Sequence, residues 1–152
     1  MVASLNPPDP NPSSKAAVGA VELKITSDTA NLRDVRKRAE EFAKAVGFPQ
    51  SECDAIGLAI NEALANVIRH GYGGAKDRPI VVAMDADKDQ MRISIRDWQK
   101  PFDPAGLPKD GPNELKPGGL GVMCIRKLMD HMNYQRLSDG MLLTLVKQIK
   151  SH

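Results

Sequence analysis

Polar and apolar residues alternate strictly from Gln90 to Asp97, with Met91, Ile93 and Ile95 on one side. That period of two predicts a half-buried strand ending in a carboxylate. Pro79–Asp85 is a second β-branched and apolar run, and Asp87–Asp89 between the two reads as a tight turn, so the pair predicts an antiparallel hairpin. Val21–Thr26 alternates too and predicts a first strand. The period then changes. Leu32, Val35, Ala39, Phe42 and Val46 mark one face of a helix over Thr29–Val46, with Ser27 or Asp28 as its cap and Gly47 and Pro49 as its stop. Ile56, Ile60, Ala63, Leu64, Val67 and Ile68 repeat at intervals of three and four and predict a second helix, capped by Ser51 and ending near Gly71. A short apolar helix over Val122–Asp130 and a hairpin over Tyr134–Leu137 and Met141–Ile149, turning at Ser138–Gly140, complete the pattern. This order predicts an α+β two-layer sandwich, a largely antiparallel mixed sheet covered on one face by helices.

Two stretches fall outside the pattern. Residues 1–18, rich in Pro, Asn and Ser, predict a disordered tail ahead of one domain over 19–152. Trp98–Gly118 holds five prolines and three glycines, and an irregular loop of that length predicts a lid over a site. No internal repeat is present. A net charge of +2 and 4% aromatic residues argue against a nucleic-acid surface. No apolar run is long enough to span a membrane, and no signal pattern opens the chain, so a cytoplasmic protein is expected. Cys53 and Cys124 sit in apolar helical patterns and read as small buried hydrophobes. His70, His131 and His152 have no metal-ligand spacing with them.

Three features carry candidate chemistry. Glu62 and Asn66 are one turn apart on the second helix, and Arg69 and His70 extend that side. Glu62 can accept a proton, and Asn66 can offer a neutral oxygen to a hard cation such as Mg²⁺. Asp97, where the strand enters the lid, can accept a hydrogen bond from an exocyclic amine such as that of adenine. Gly118–Gly121 lies at a helix N-terminus, where free N–H groups and the helix dipole favour phosphate. Taken singly, these describe a solvated helix face, a strand end and a turn. Their order around a lid is far more specific than any one of them.

That order resembles the GHKL (Bergerat-fold) ATP-binding family, within it the anti-sigma-factor serine/threonine kinases of partner-switching modules. The matching segments are AINEALANVIRHGY (59–72), IRDWQKPFDP (95–104), GGLGVMCIRKLMD (118–130) and LLTLVKQI (142–149). The resemblance implies ATP and Mg²⁺ as cofactors. It makes Glu62 the base that helps activate the attacking hydroxyl, Asn66 the Mg²⁺ ligand and Asp97 the contact to the adenine amine. It puts Gly119 and Gly121 at the phosphates and Thr144 near the adenine. Arg69, Lys100, Lys109 and Lys116 are further candidates for phosphate contact. The implied activity is phosphorylation of a STAS-type anti-sigma-factor antagonist, together with sequestration of a sigma factor, by a homodimer. The family's Asp-x-Gly-x-Gly box reads Asp97-Trp98-Gln99-Lys100-Pro101 here. Gln99 replaces the first glycine, and a side chain there is expected to crowd the adenine or restrict the backbone. The alternative reading is a partner-switching binding module of the same fold, weak for nucleotide or catalytically silent.

Overall fold

The computed structural model describes residues 19–107 and 119–150. The expected tail over 1–18 and most of the lid's second half lie outside them. Five strands form one sheet in the order β1 (Val21–Thr26), β2 (Pro79–Ala86), β3 (Gln90–Asp97), β5 (Gly140–Gln148), β4 (His131–Leu137). All four strand pairings are antiparallel. Three α-helices cover one face: α1 (Leu32–Val46), α2 (Gln50–Asn66) and α3 (Gly119–Leu128). The predicted sandwich is therefore the observed one.

The pleat explains which face the helices take. Ile80, Val82 and Met84 of β2, Ile93 and Ile95 of β3, and Leu143 and Leu145 of β5 are aligned across the sheet and buried. They meet Val35, Ala39, Phe42, Ile56, Ile60, Ala63 and Leu64 from α1 and α2 in one continuous core. Each fully buried aliphatic side chain contributes about 1.5–3 kcal/mol, so this row dominates the fold's stability. One row breaks the apolar rule. Ile80, Asp97 and Met141 are register partners, and Asp97 is only 2% exposed.

The helix ends differ from expectation in instructive ways. Asp28 rather than Ser27 accepts from a backbone N–H, that of Ala30, and it opens a 3₁₀ turn over Thr29–Asn31 before α1 begins. Ser27 is buried instead, its backbone N–H donating to Arg78 and its hydroxyl to the Ala75 carbonyl. Gly47 stops α1 in the left-handed region at φ 115°, a conformation that suits glycine. Ser51 does not cap α2. That helix starts at Gln50, after Pro49, with no side-chain cap.

At its far end α2 does not simply run on to Gly71. Val67–Gly71 forms a π-helical turn, and the Tyr72 N–H reaches back to the Val67 carbonyl. Such wide turns break the i, i+4 stacking. Arg69 and His70 consequently point into solvent rather than continuing the Glu62–Asn66 side.

β4 and β5 turn at Ser138–Asp139, and Gly140 is buried under the end of β3. A Cβ at Gly140 would overlap the Asp97 carbonyl oxygen and meet the Arg96 guanidinium. Backbone cannot yield as a flexible side chain can. Gly140→Ala is expected to destabilise the protein by about 1–3 kcal/mol, the usual cost of overpacking. Urea unfolding measures this, and an unchanged midpoint would contradict the packing described here.

Candidate active site

Asp97 ends β3 on the helix-covered side of the sheet, and donors surround its carboxylate. Oδ1 accepts from the Gln99 backbone N–H at 3.0 Å and from the Met141 backbone N–H at 3.2 Å. Oδ2 accepts from the Gln99 side-chain Nε2 at 2.6 Å. Burial pushes the carboxyl above its ordinary 3.8, while the Gln99 side chain, the two backbone donors and Arg96 pull it back. Desolvation wins that contest. Taking a carboxylate out of water costs several kcal/mol, and each hydrogen bond to it returns about 1.5–3 kcal/mol.

Arg96 holds the same strand end from the opposite face of the sheet. Its guanidinium donates to the Asp97 carbonyl, pairs with Asp139 and lies 4.3 Å from the centre of the Trp98 ring. Tyr72 ties the π turn to this corner. Its hydroxyl donates to the Pro79 carbonyl and accepts from the Trp98 N–H, both at 2.7 Å. Gln99 rests against Gly71, where an added Cβ would stand 2.8 Å from the Gln99 carboxamide.

The second half of the site is the meeting of α2 and α3. A Cβ at Gly121 would stand 2.9 Å from Asn66 Nδ2, 3.1 Å from Asn66 Oδ1 and 3.3 Å from a Glu62 carboxylate oxygen. The first turn of α3 therefore lies against both polar residues, and a side chain at Gly121 would separate them. Asn66 Nδ2 is buried and has no hydrogen-bond partner among the described residues. Buried amides left unpaired are rare, and a donor in that state suits an acceptor such as a phosphate oxygen. Cys124, one turn along α3, is half-buried rather than fully buried. Burial and the Glu62 charge raise its thiol pKa, which keeps it neutral.

α2 and its π turn separate Gly71 from Glu62 by nine residues, about 13 Å at 1.5 Å per residue. The site is thus elongated, with Asp97 at one end and Glu62, Asn66 and Gly121 at the other. Tyr134 of β4 and Phe102 flank it as an edge-to-face pair with ring centres 5.6 Å apart. Burial pushes the Tyr134 phenol up to about 12, with the Asp97 charge adding to the effect.

Not every expected residue joins the site. Thr144 pairs with Ser94, and both sit one pleat step out of phase with Asp97 and Leu143. Alternation puts the Thr144 side chain on the sheet face away from the helices. An adenine contact from Thr144 is therefore corrected by strand register. Met141, opposite Asp97, is the β5 residue that reaches this corner. Gly119 is the first residue of α3, so the helix begins inside the glycine cluster rather than at Val122. Lys100 is exposed, and Lys109 and Lys116 lie outside the described residues. Sequence reasoning missed the Met141 N–H, the Tyr72 tie and the π turn.

A family model described as a histidine kinase-like ATPase domain matches residues 25–147. The chain belongs to the histidine kinase-like ATPase domain family. Over 141 residues, 88% of each chain, it is 24% identical to the serine-protein kinase RsbW of Bacillus licheniformis. It is 28% identical over 137 residues to that of Halalkalibacterium halodurans, covering 84% of this chain and 82% of the relative. Among solved structures, one holding the RsbU and RsbW domains of Rv1364c from Mycobacterium tuberculosis superposes with a TM-score of 0.62 at 21% identity. It covers 85% of this chain, which spans 31% of that longer one. The blue-light activated histidine kinase of Erythrobacter litoralis EL346 matches at 0.54 and 16% identity, over 78% of this chain and 41% of its own. At these identities the two structures establish a shared fold.

Membership in this ATPase family makes a nucleotide the natural test of fit, and the donor set passes. The orphaned Asn66 amide, the side-chain-free surface at Gly121 and the N-terminal N–H groups of α3 suit an anion with a bound cation. No cluster of three or more His, Cys, Asp or Glu able to hold a metal occurs among the described residues. A cation here would share its ligands with a phosphate, as Mg²⁺ commonly does. No described helix is long and apolar enough to cross a membrane.

The raised Asp97 pKa has a measurable consequence. The folded protein holds this proton more tightly than the unfolded chain. Stability from the protonated form is full below the ordinary value and is lost as pH rises through the folded value. Asp97→Asn cannot titrate. The melting temperature of wild type minus that of Asp97→Asn should fall as pH rises from about 4, then level off once the folded carboxyl is ionised. A difference that does not vary with pH would contradict the assignment.

Proposed function

We propose that this chain is a Mg-ATP-dependent serine/threonine protein kinase that acts as an anti-sigma factor. In this reading it phosphorylates a STAS-type anti-sigma-factor antagonist and sequesters a sigma factor, as a cytoplasmic homodimer. One observation carries the catalytic part: Gly121 lies directly against Glu62 and against Asn66, whose buried Nδ2 has no partner among the described residues. The relatives named serine-protein kinase support the choice of hydroxyl acceptor.

Asp97 accepts a hydrogen bond from the amine of the base. The N–H groups at the start of α3 would hold the phosphates, and Asn66 Oδ1 would be the protein ligand of the cation. Glu62 takes the proton from the attacking serine or threonine hydroxyl. Mg-ATP supplies the transferable phosphoryl group, and positioning and charge neutralisation do most of the remaining work. The role of a dry, aligned site falls to the helix junction.

A second reading has a specific observation in its favour. The Gln99 carboxamide holds Asp97 Oδ2 at 2.6 Å, where a base amine would bind. The protein would then be a binding module of the same fold, weak for nucleotide or catalytically silent.

Transfer from γ-labelled ATP to the cognate antagonist separates the two readings. Wild type should label the antagonist on serine or threonine. Glu62→Ala should lose at least about a hundredfold in rate, the usual worth of a general base, while still binding Mg-ATP. Equal labelling by both proteins would remove Glu62 from the mechanism, and none by wild type would favour the binding module.

A further inference from the structure

Gln99 makes two bonds to one carboxylate. Its backbone N–H binds Asp97 Oδ1, and its side-chain Nε2 binds Oδ2. An ionised carboxylate only accepts, so the donor end of the carboxamide must face it. Gly71 leaves the carboxamide room to lie there, since an added Cβ would stand 2.8 Å from it. With the Met141 N–H on Oδ1, both oxygens of Asp97 already accept from the chain itself. A primary amide N–H₂ and the exocyclic amine of a nucleobase are the same kind of donor.

We propose that the Gln99 carboxamide is an internal stand-in for the nucleobase amine, closing the Asp97 subsite in the free protein and swinging out when nucleotide binds. The inference rests on the nucleotide-binding reading of the site. It adds a two-state side chain that sets how tightly nucleotide is held. The backbone N–H of Gln99 stays on Oδ1 in both states, so Asp97 keeps its aim while Oδ2 changes partner. Apparent affinity then falls by the fraction of molecules that are open. A latch closed in about nine molecules of ten raises the nucleotide Kd about tenfold, equivalent to ~1.4 kcal/mol. Gly71 gives this latch its seat, since any side chain there would compete with the carboxamide for the same space.

Calorimetric titration of the full chain with Mg-ADP, on wild type and on Gln99→Ala, tests the idea. Gln99→Ala should bind about tenfold more tightly. In ¹⁵N-labelled wild type, the Gln99 side-chain amide pair should be shielded from solvent exchange without nucleotide, and should shift and exchange faster at saturation. If wild type binds and the two dissociation constants agree within twofold, the latch is wrong and the nucleotide site stands. An amide pair unmoved at saturation overturns it equally, and decides alone if Gln99→Ala melts far below wild type. If neither protein binds nucleotide at millimolar concentration while both remain folded, the nucleotide site itself is wrong, and the latch with it.

Discussion

A buried carboxylate at the end of a central strand organises this molecule. Asp97 stands in a row otherwise filled by Ile80 and Met141, and it reaches the interior at a cost in lost hydration. The surrounding structure offsets that cost. β5 must approach closely enough for the Met141 N–H to reach Oδ1, and Gly140 must lack a side chain for the strand to do so. The chain after Asp97 must double back so that Gln99 can donate twice. Arg96 anchors the same residue from the other face through Asp139 and Trp98. These are unlike elements, a hairpin turn, a loop and two faces of a sheet, joined by the needs of one charged group.

The far end of the site depends on a different constraint, the close crossing of two helices. Gly121 admits α3 to within contact of Asn66 and Glu62. Asn66 Nδ2 is buried there without a hydrogen-bond partner among the described residues. The π turn at Val67–Gly71 links the two ends. It brings Gly71 under Gln99 and lets Tyr72 bridge Pro79 and Trp98.

Much of this was legible in the residue pattern, for physical reasons. β3 could be read because one of its faces packs on helices, which imposes strict alternation on Met91, Ile93 and Ile95. α2 could be read because its stripe of Ile56, Ile60, Ala63 and Leu64 is buried at helical spacing. Glu62, Asn66 and Asp97 stood out as polar groups in apolar surroundings. Thr144 went astray because its position depends on strand register, and a one-step difference in the pleat reverses the face. The donors on Asp97 were hidden for a related reason. Met141 acts through its backbone N–H, which any residue but proline would supply, and no side-chain pattern records it. Gln99 was visible as a departure from the expected glycine. Its hydrogen bond to the neighbouring carboxylate emerges only when the loop's path is known.

In the proposed function, the space between Asp97 and the Glu62–Asn66–Gly121 junction holds a Mg-nucleotide. Titrating ATP into wild-type protein by calorimetry, once with Mg²⁺ and once with a chelator, tests it most directly. Binding should be saturable at one nucleotide per chain and weaken sharply when Mg²⁺ is withdrawn, because Asn66 would offer the cation a neutral oxygen and the phosphates would supply the rest. Absence of binding heat in both titrations, or binding equally strong without the metal, would contradict it.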